Sequence, residues 1–499
     1  MDYSKLQNGS DIRGVALEGI EGQHVNLTEE VCRNIGKGFA TWMRTKCNKE
    51  SIRIAVGRDS RLSGETLSAW ICDAMVQEGL HVTDFGMAST PAMFMSTVTE
   101  GYKFDGSVMI TASHLPFNRN GFKFFTAEGG LEKGDIKAIL QYAQQPTVSA
   151  VPGTFRRNGF MDTYANILAE KIRSATGEQQ PLAGFRVVVD AGNGAGGFYV
   201  DKVLKPLGAN TEGSRFLDPD GSFPNHIPNP ENKEAMESIT DAVKETGADL
   251  GIIFDTDVDR AGAVLSDGSE LNRNRIIAML SAILLREHPG TTIVTDSITS
   301  TGLANFITAK GGIHHRFKRG YRNVINESIK LNAQGQDSQL AIETSGHGAL
   351  KENYFLDDGA YLVTKLLIEL ARGKKEGYTL ESLIAELEEP AESIEFRMNI
   401  QLEDFKEYGQ AVIDELTSYA ATQPGWELAP NNFEGVRVNL DQNHGNGWFL
   451  LRLSLHDPLL PLNIESNTVG GAKIIATELR SFLEKYSALN IHTLTNYTK

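Results

Sequence analysis

The sequence contains little cysteine: Cys32, Cys47 and Cys72 are the only three in 499 residues. Their spacings match no zinc-binding pattern, so we expect reduced structural thiols rather than a metal site or a disulfide framework. Long apolar runs are also missing. The longest, IIAMLSAILL at residues 276–285, has about half the length of a membrane-spanning helix and predicts a buried helix instead.

Positive charge is scarce as well. The chain has 48 Lys and Arg against 64 Asp and Glu, a formal net charge of −16, and contains no basic run. This balance argues against nucleic acid or a membrane as the partner, so a phosphate-binding site must be a local group of Arg and Lys. The first residues, MDYSKLQNGSDIRG, show no signal or transit character, and we expect a cytoplasmic protein.

One layout occurs three times along the chain. Stretches that begin near residues 51, 184 and 291 each read as a strand, a polar loop, a helix and a terminal glycine. Such alternation predicts α/β domains, whereas the β-like runs and amphipathic helix after residue 390 predict a different, α+β domain. We therefore predict three repeated α/β domains with mixed sheets plus a smaller C-terminal α+β domain, around one central cleft. The predicted boundaries are 1–155, 156–268, 269–390 and 391–499.

Polar loops follow three further apolar runs, GSVMI, LGIIF and SQLAI. The loops begin at Thr111, Asp255 and Glu343. In open α/β sheets, ligand-binding groups lie at the carboxyl ends of the strands. The layout therefore predicts that the three loops face one shared cleft.

The loop DTDVDR carries Asp255, Asp257 and Asp259 at alternate positions. Carboxylates crowded in this way repel one another unless a hard divalent cation neutralises them. An EF-hand is excluded, because Arg260 and Ser266 stand where that loop needs Gly and Glu. The alternative is an acidic surface turn, which a preceding buried strand disfavours.

The loop ITASHLPFNRNGFKFF places Ser113 beside His114, with Lys123 ten residues beyond Ser113. A hydroxyl with a base and a cation nearby suits a nucleophile. A serine that caps a local turn is the alternative on this stretch alone.

Glycines in GNGAGG fit the dinucleotide-binding pattern at Gly192, Gly194 and Gly197, and Glu212 follows Gly192 by twenty residues. No apolar strand leads to Glu212, however, and each repeated unit needs a tight turn from strand to helix. A nicotinamide site is therefore the minor interpretation.

Two further loops carry groups suited to a sugar phosphate. ETSGHG supplies Glu343, Ser345 and His347, which suit vicinal hydroxyls, although an ordinary polar turn has the same composition. WFLLRLSLHDP places Arg452, Ser454 and His456 at alternate positions, on one face if this segment is a strand. Hydrogen-bond donors on one face suit an anion, but polar and apolar residues alternate along any half-exposed strand.

Together these motifs resemble those of the α-D-phosphohexomutase superfamily, over nearly the whole chain and in the same order. TASHLPFNRNGFKF is similar to its phosphoserine loop, DTDVDR to its metal loop, ETSGHG to its sugar loop and GWFLLRLSLHDP to its phosphate loop. SDIRG and VGRDSRLSG are further marks of the family.

The resemblance implies a phosphoglucomutase or phosphomannomutase with four domains, the last acting as a lid. Ser113 would carry a phosphoryl group, pass it to a hexose phosphate and take another from the resulting hexose 1,6-bisphosphate. Mg²⁺ would be held by the seryl phosphate and the three aspartates of DTDVDR.

The resemblance also implies roles for single residues. Lys123 and Arg260 would face the transferred phosphoryl group, and His114 would shape the loop or support the phosphate. Lys123, His347 and Arg13 are all candidates for the general base. Glu343 and Ser345 would hold the sugar hydroxyls, helped by a specificity loop, KRGYRN, that contains Gly320, Tyr321 and Arg322.

Several positions depart from the family pattern. Leu115 replaces Asn and Thr256 replaces Gly, while His456, Asp457 and Pro461 replace Thr, Glu and Arg in the phosphate loop. These changes leave the preferred hexose open. Two other functions also stay open: a nicotinamide-dependent oxidoreductase that uses GNGAGG, and a non-catalytic sugar-phosphate sensor on the mutase fold.

Overall fold

The computed structural model of the chain describes residues 2–47, 49–145, 151–454 and 457–499. The chain forms two compact units: Met1–Ile276 with Ser345–Ser382, and Ile277–Thr344 with Leu383–Lys499. Residues 269–390, predicted as one domain, contribute to both units, and the four domain boundaries stay a prediction. Within the described ranges, no helix has the length and apolar character needed to cross a membrane.

A mixed sheet forms the amino-terminal part of the first unit. Its strands in spatial order are Gln7–Asn8, Asp11–Val15, Arg119–Thr126, Gly106–Ile110, Arg53–Arg58, His81–Met87 and Phe155–Arg157, and Gly129–Gly130 also pairs with Arg119–Thr126. The helices of this part are Glu29–Lys46, Gly64–Gln77, Thr90–Val98 and Lys133–Tyr142. Strand Gly106–Ile110, which leads to the Ser113 loop, is buried throughout, as expected when helices cover both faces.

A second, four-stranded sheet in the same unit leads to the acidic loop. Its order is Glu270–Leu271, Ala261–Leu265, Leu250–Phe254 and Val187–Asp190. The last two strands are parallel and fully buried. The helices Met161–Thr176, Lys233–Thr246 and Gly359–Glu376 and the antiparallel pair Gly348–Leu350 and Leu356–Asp357 complete this part.

The helix predicted after GNGAGG differs from the expectation. A π-helix, Val200–Leu204, runs into a 3₁₀-helix, Lys205–Leu207, and Gly208 ends it with a φ of 92°. Pro206 has no N–H to donate, and its ring would clash with a carbonyl in a regular α-helix. The segment is therefore helical but irregular.

In the second unit, three parallel strands lie in the order Ile313–Arg316, Thr292–Thr295 and Ser338–Ile342, with helices Thr301–Ala309 and Tyr321–Ala333.

Other helices of the described chain, taken over both units, are Leu380–Leu383, the 3₁₀-helices Tyr3–Leu6, Lys351–Asn353 and Gln442–His444, and Arg273–Glu287. The apolar run 276–285 lies within this last helix and is buried, as predicted.

The C-terminal part of the second unit is an antiparallel sheet with helices, as the sequence predicted. The strand order is Glu392–Asn399, Leu459–Ser466, Gly447–Leu451, Val436–Leu440 and Trp426–Leu428. Its helices are Phe405–Ala420, Gly471–Leu483 and His492–Thr498. Apolar residues of the sheet and the helices form one core.

A buried arginine joins this sheet to the loop after Thr292–Thr295. Arg437 lies on the face of Trp448, with 3.6 Å between the guanidinium carbon and the ring centre. Its guanidinium donates to the carbonyls of Ser297 at 2.8 Å and Thr299 at 3.0 Å. Strand 436–440 and loop 297–299 are therefore held together within the second unit.

Candidate active site

Ser113 lies in a buried loop directly after strand Gly106–Ile110. Its backbone is in the left-handed region, with φ of 53°, and its N–H donates to Thr111 Oγ1 at 2.9 Å. The hydroxyl donates to Asp255 Oδ2 at 3.2 Å and accepts from Arg260 Nη2 at 3.1 Å. A capping turn alone does not account for a hydroxyl that contacts a distant carboxylate and a distant guanidinium.

The acidic loop is buried as well. Asp255, Asp257 and Asp259 are each at most 1% exposed, so the loop is not an acidic surface turn. One carboxylate oxygen from each lies within 4.8 Å of the others. Among the described residues, neither Asp257 Oδ1 nor Asp259 Oδ1 accepts a hydrogen bond. Buried carboxylate oxygens of this kind fit a hard cation such as Mg²⁺.

Two cations offset part of this negative charge. Lys123 donates to Asp259, and its Nζ lies 3.2 Å from Asp257 Oδ2. Arg260 Nε donates to Asp255 Oδ2 at 3.1 Å. Burial and the neighbouring Asp259 raise the pKa of Asp255 well above its usual value. For Asp259, Lys123, His347 and Arg260 together outweigh burial and lower the pKa.

His114 is held neutral beside the serine. Its Nδ1 lies 2.6 Å from Arg260 Nη2 and 3.3 Å from Ser113 Oγ. Burial, together with the charges of Arg260 and Arg13, lowers the pKa of His114 to about 2. A neutral imidazole accepts a hydrogen bond from the guanidinium, which fits a role in shaping the loop.

His347, in contrast, is held protonated. Its Nδ1 lies 2.6 Å from Asp357 Oδ2 and 3.9 Å from Asp259 Oδ1. Burial opposes the charged form, but these two carboxylates outweigh it and raise the pKa of His347 to about 9. Asp357 was not among the residues predicted for the site. The acidic pair in FLDDGA at the end of an apolar run is the signal that could have found it.

Two other contacts of the site were not predicted. Thr90 donates a hydrogen bond from its hydroxyl to Asp257, and Asn229 Oδ1 accepts one from Arg260 Nη1 at 3.1 Å. Arg13, a predicted site residue, pairs with Asp11 at 2.9 Å and is near enough for its charge to act on His114. Thus the first unit brings together most of the residues predicted for catalysis and metal binding.

The predicted sugar-binding residues are divided. Ser345 is buried in the first unit, together with His347, whereas Glu343 belongs to the second. Glu343 Oε1 accepts a hydrogen bond from the N–H of Gly320 at 2.5 Å. Gly320 has a φ of 116°, and Tyr321 and Arg322 follow it at the start of helix Tyr321–Ala333. The specificity loop and Glu343 are therefore neighbours.

The segment of the predicted phosphate loop is a strand only in part. The strand ends at Leu451, so Arg452 and Ser454 lie beyond it rather than on one of its faces. Their N–H groups still donate to the carbonyls of Pro461 and Leu459, at 3.1 and 3.0 Å. Arg452 Nη1 lies 4.0 Å from Glu434 Oε1. The third predicted residue, His456, lies outside the described residues.

The glycines of GNGAGG make close contacts with the protein itself. A Cβ on Gly194 would lie 2.7 Å from the carbonyl oxygen of Thr256, in the acidic loop, and one on Gly197 would lie 2.2 Å from that of Leu217. The chain here continues into a π-helix rather than a regular α-helix with an amino end for a pyrophosphate. Packing therefore accounts for these glycines, without a dinucleotide.

We expect Gly197→Ala to lower the free energy of unfolding by about 1–3 kcal/mol, because a backbone carbonyl must move to admit the methyl group. Denaturant unfolding measures this change. Gly134→Ala is the matched control: it lies in helix Lys133–Tyr142 with nothing within 4 Å of the new Cβ, and it should stabilise slightly. Wild-type protein should show no NADH binding; affinity that Gly197→Ala abolishes would contradict the packing explanation.

Comparison with known proteins gives matches along most of the chain. Three models of the phosphoglucomutase/phosphomannomutase alpha/beta/alpha domains match, domain I over residues 4–147, domain II over 162–268 and domain III over 272–390. A Pseudomonas putida phosphomannomutase/phosphoglucomutase is 32% identical, with 92% of each chain covered. A Neisseria meningitidis phosphoglucomutase is 30% identical over 94% of this chain and 95% of the relative.

A solved structure is similar over the whole length. The crystal structure of a phosphoglucomutase/phosphomannomutase family protein from Burkholderia thailandensis matches with a TM-score of 0.80 and 28% identity. The match covers 98% of this chain and 99% of the other.

Proposed function

Because the chain belongs to the phosphoglucomutase/phosphomannomutase family, we propose that it interconverts hexose 1-phosphate and hexose 6-phosphate of glucose, mannose or both. The reaction proceeds through phosphorylated Ser113 and a bisphosphorylated sugar. The observation that carries this proposal is the position of the Ser113 hydroxyl between Asp255 and Arg260. A nucleophile between a cation-binding acid and a guanidinium is the arrangement that phosphoryl transfer needs.

In the first step, the bond between phosphorus and Ser113 Oγ breaks and a bond to a sugar hydroxyl oxygen forms. The sugar hydroxyl gives its proton to a base, and Ser113 Oγ regains one. The bisphosphate then returns its other phosphoryl group to Ser113 in the reverse sense. Arg260 would stabilise charge on the phosphoryl oxygens, and its hydrogen bond to Ser113 Oγ supports this role.

A Mg²⁺ ion would be held by Asp255, Asp257, Asp259 and an oxygen of the seryl phosphate, and when bound it would add positive charge at the phosphoryl oxygens. The buried Oδ1 atoms of Asp257 and Asp259 support this assignment. Lys123 would contribute a second positive charge, which belongs to the protein itself and does not depend on a bound ion.

Proton transfer is assigned to three candidates: Lys123, His347 and Arg13. The raised pKa of His347 favours its protonated form near neutral pH, which suits a proton donor better than a base. Neutral His114 supports the loop through its hydrogen bond with Arg260 and is not needed for proton transfer.

Substrate recognition falls to the remaining predicted residues. Glu343 and Ser345 would bind sugar hydroxyls, and Gly320, Tyr321 and Arg322 would help to select the sugar. Arg452, Ser454 and His456 would bind the phosphate that is not being transferred. The contact between Glu343 and Gly320 supports a joint role for the first two groups.

A coupled assay tests the proposal and its alternatives. Glucose 1-phosphate and mannose 1-phosphate are supplied with glucose 1,6-bisphosphate as activator, with Mg²⁺ and with excess chelator. Formation of hexose 6-phosphate that needs Mg²⁺ supports a mutase. Binding without turnover would indicate the sugar-phosphate sensor instead, and NADH-dependent turnover would indicate the oxidoreductase. The cytoplasmic location stays a prediction.

A further inference from the structure

Arg61 is a buried arginine that the proposed mechanism does not use. It lies in VGRDSRLSG, in the loop between strand Arg53–Arg58 and helix Gly64–Gln77, and is 1% exposed. A buried guanidinium requires hydrogen-bond acceptors for its donors. The position of those acceptors indicates what Arg61 does.

All four hydrogen bonds from the two terminal nitrogens of Arg61 go to backbone carbonyls between residues 113 and 119, that is, the Ser113 loop (111–118) and the first residue of the strand that follows it. Nη1 donates to Pro116 at 2.9 Å and to Arg119 at 2.9 Å. Nη2 donates to Leu115 at 2.6 Å and to Ser113 itself. One side chain therefore holds the loop at four places, including the residue that carries the hydroxyl.

A second restraint acts on the same residue from the other side of its backbone. The N–H of Ser113 donates to Thr111 Oγ1 at 2.9 Å. Asp59, whose Oδ2 lies 3.5 Å from Arg61 Nε, compensates the buried charge. The N–H and the C=O of Ser113 are thus both fixed by side chains.

We infer that Arg61, together with Thr111, is a positioning residue for the proposed phosphoryl transfer and holds Ser113 Oγ between Asp255 and Arg260. The inference rests on the proposed function. Ser113 has a φ of 53°, a conformation that L residues with side chains disfavour, and the restraints on both of its backbone groups stabilise it. The side chain of Arg61 donates to backbone carbonyls of the loop, so Arg61 positions Ser113 and is not itself a catalytic residue.

The planar guanidinium is essential to this role. Its two terminal nitrogens offer four N–H groups at fixed directions, and these match the four backbone carbonyls between residues 113 and 119. A lysine in its place has three donors on a single atom and cannot reach all four. Arg61→Lys therefore keeps the buried charge near Asp59 but loses part of the restraint on the loop.

We expect Arg61→Lys to lower kcat about 100-fold, since a misplacement of about 1 Å at a reacting atom has effects of that size. KM for glucose 1-phosphate should change by less than about threefold, because the terminal nitrogens of Arg61 bond to backbone carbonyls of residues 113–119 and not to a side chain proposed to bind the sugar. Hydrogen exchange of a peptide covering residues 111–122 should increase, while peptides from the rest of the chain exchange as in wild type.

Arg186→Lys is the matched control. Arg186 also donates from its guanidinium to a backbone carbonyl, that of Thr246 at 2.7 Å, but it precedes strand Val187–Asp190 at its amino end. Its kcat should equal that of wild type. Thr111→Val is a second variant, which keeps the shape of the side chain but removes the acceptor of the Ser113 N–H, and it should also lower kcat at constant KM if Arg61→Lys fails to fold.

Unchanged kcat in folded Arg61→Lys, or in Thr111→Val if the former does not fold, overturns the inference. A rise in KM at constant kcat also overturns it, because the effect would then be on sugar binding. Wild-type protein without mutase activity and without phosphate on Ser113 overturns the proposed function instead. The exchange of peptide 111–122 still tests the anchoring of the loop in that case.

Discussion

Ser113→Ala should lower kcat by about 10⁵-fold, because it removes the nucleophilic hydroxyl held between Asp255 and Arg260. The same coupled assay measures this loss. Peptide mass spectrometry should find a phosphoryl group on the peptide containing Ser113 in wild-type protein as purified, since the cycle starts from the phosphorylated form. The variant should lack it.

Ser107→Ala is the control for this prediction. Ser107 is fully buried in strand Gly106–Ile110, and its hydroxyl donates to the carbonyl of Met93 at 2.7 Å. It should affect stability but not the activity of the folded protein. Near-normal turnover by Ser113→Ala would exclude the phosphoserine mechanism.

Asp257→Asn should lower kcat by about 1000-fold, because the change weakens the cation site and removes charge from it. A thermal unfolding series gives a second readout, independent of turnover. Mg²⁺ should raise the Tm of wild-type protein, since an ion that binds only the folded state stabilises it, and the increase should be smaller for the variant. In excess chelator the two Tm values should be close, because lost repulsion with Asp255 and Asp259 opposes the lost attraction of Lys123.

Asp267→Asn serves as the matched control. Asp267 is exposed in the turn that joins strand Ala261–Leu265 to Glu270–Leu271, and it should change neither kcat nor the response of Tm to Mg²⁺. Full activity of wild-type protein in excess chelator would rule out a metal role for the acidic loop.

The placement of Ser113 and the three aspartates at strand ends was predictable, because each follows an apolar run that strands buried on both faces produce. The buried helix at 276–285 was predictable because a longer apolar run indicates a helix that is buried on all sides. An apolar run indicates burial of its own segment, so predicting these features requires no knowledge of tertiary contacts.

Pairs of residues that meet only through tertiary structure were not predictable in this way. His347 meets Asp357 across the antiparallel pair Gly348–Leu350 and Leu356–Asp357, and Arg61 meets carbonyls more than fifty residues away. No local pattern marks a side chain whose partners are backbone carbonyls. The π-helix after GNGAGG was not predictable from the apolar pattern, because that pattern does not distinguish an irregular helix from an α-helix; Pro206 is a local signal of the irregularity.

The arginine that joins the C-terminal sheet to loop 297–299 limits how this chain could exchange parts with its relatives. Arg437 satisfies the carbonyls of Ser297 and Thr299, both in buried residues. A chimera that took residues 391–499 from a relative without this arginine would leave two carbonyls unpaired, at about 1–3 kcal/mol each. Residues 391–499 therefore cannot be exchanged independently of loop 297–299. A stable chimera requires that the exchanged segment contain this arginine, or that the matching loop be exchanged with the segment.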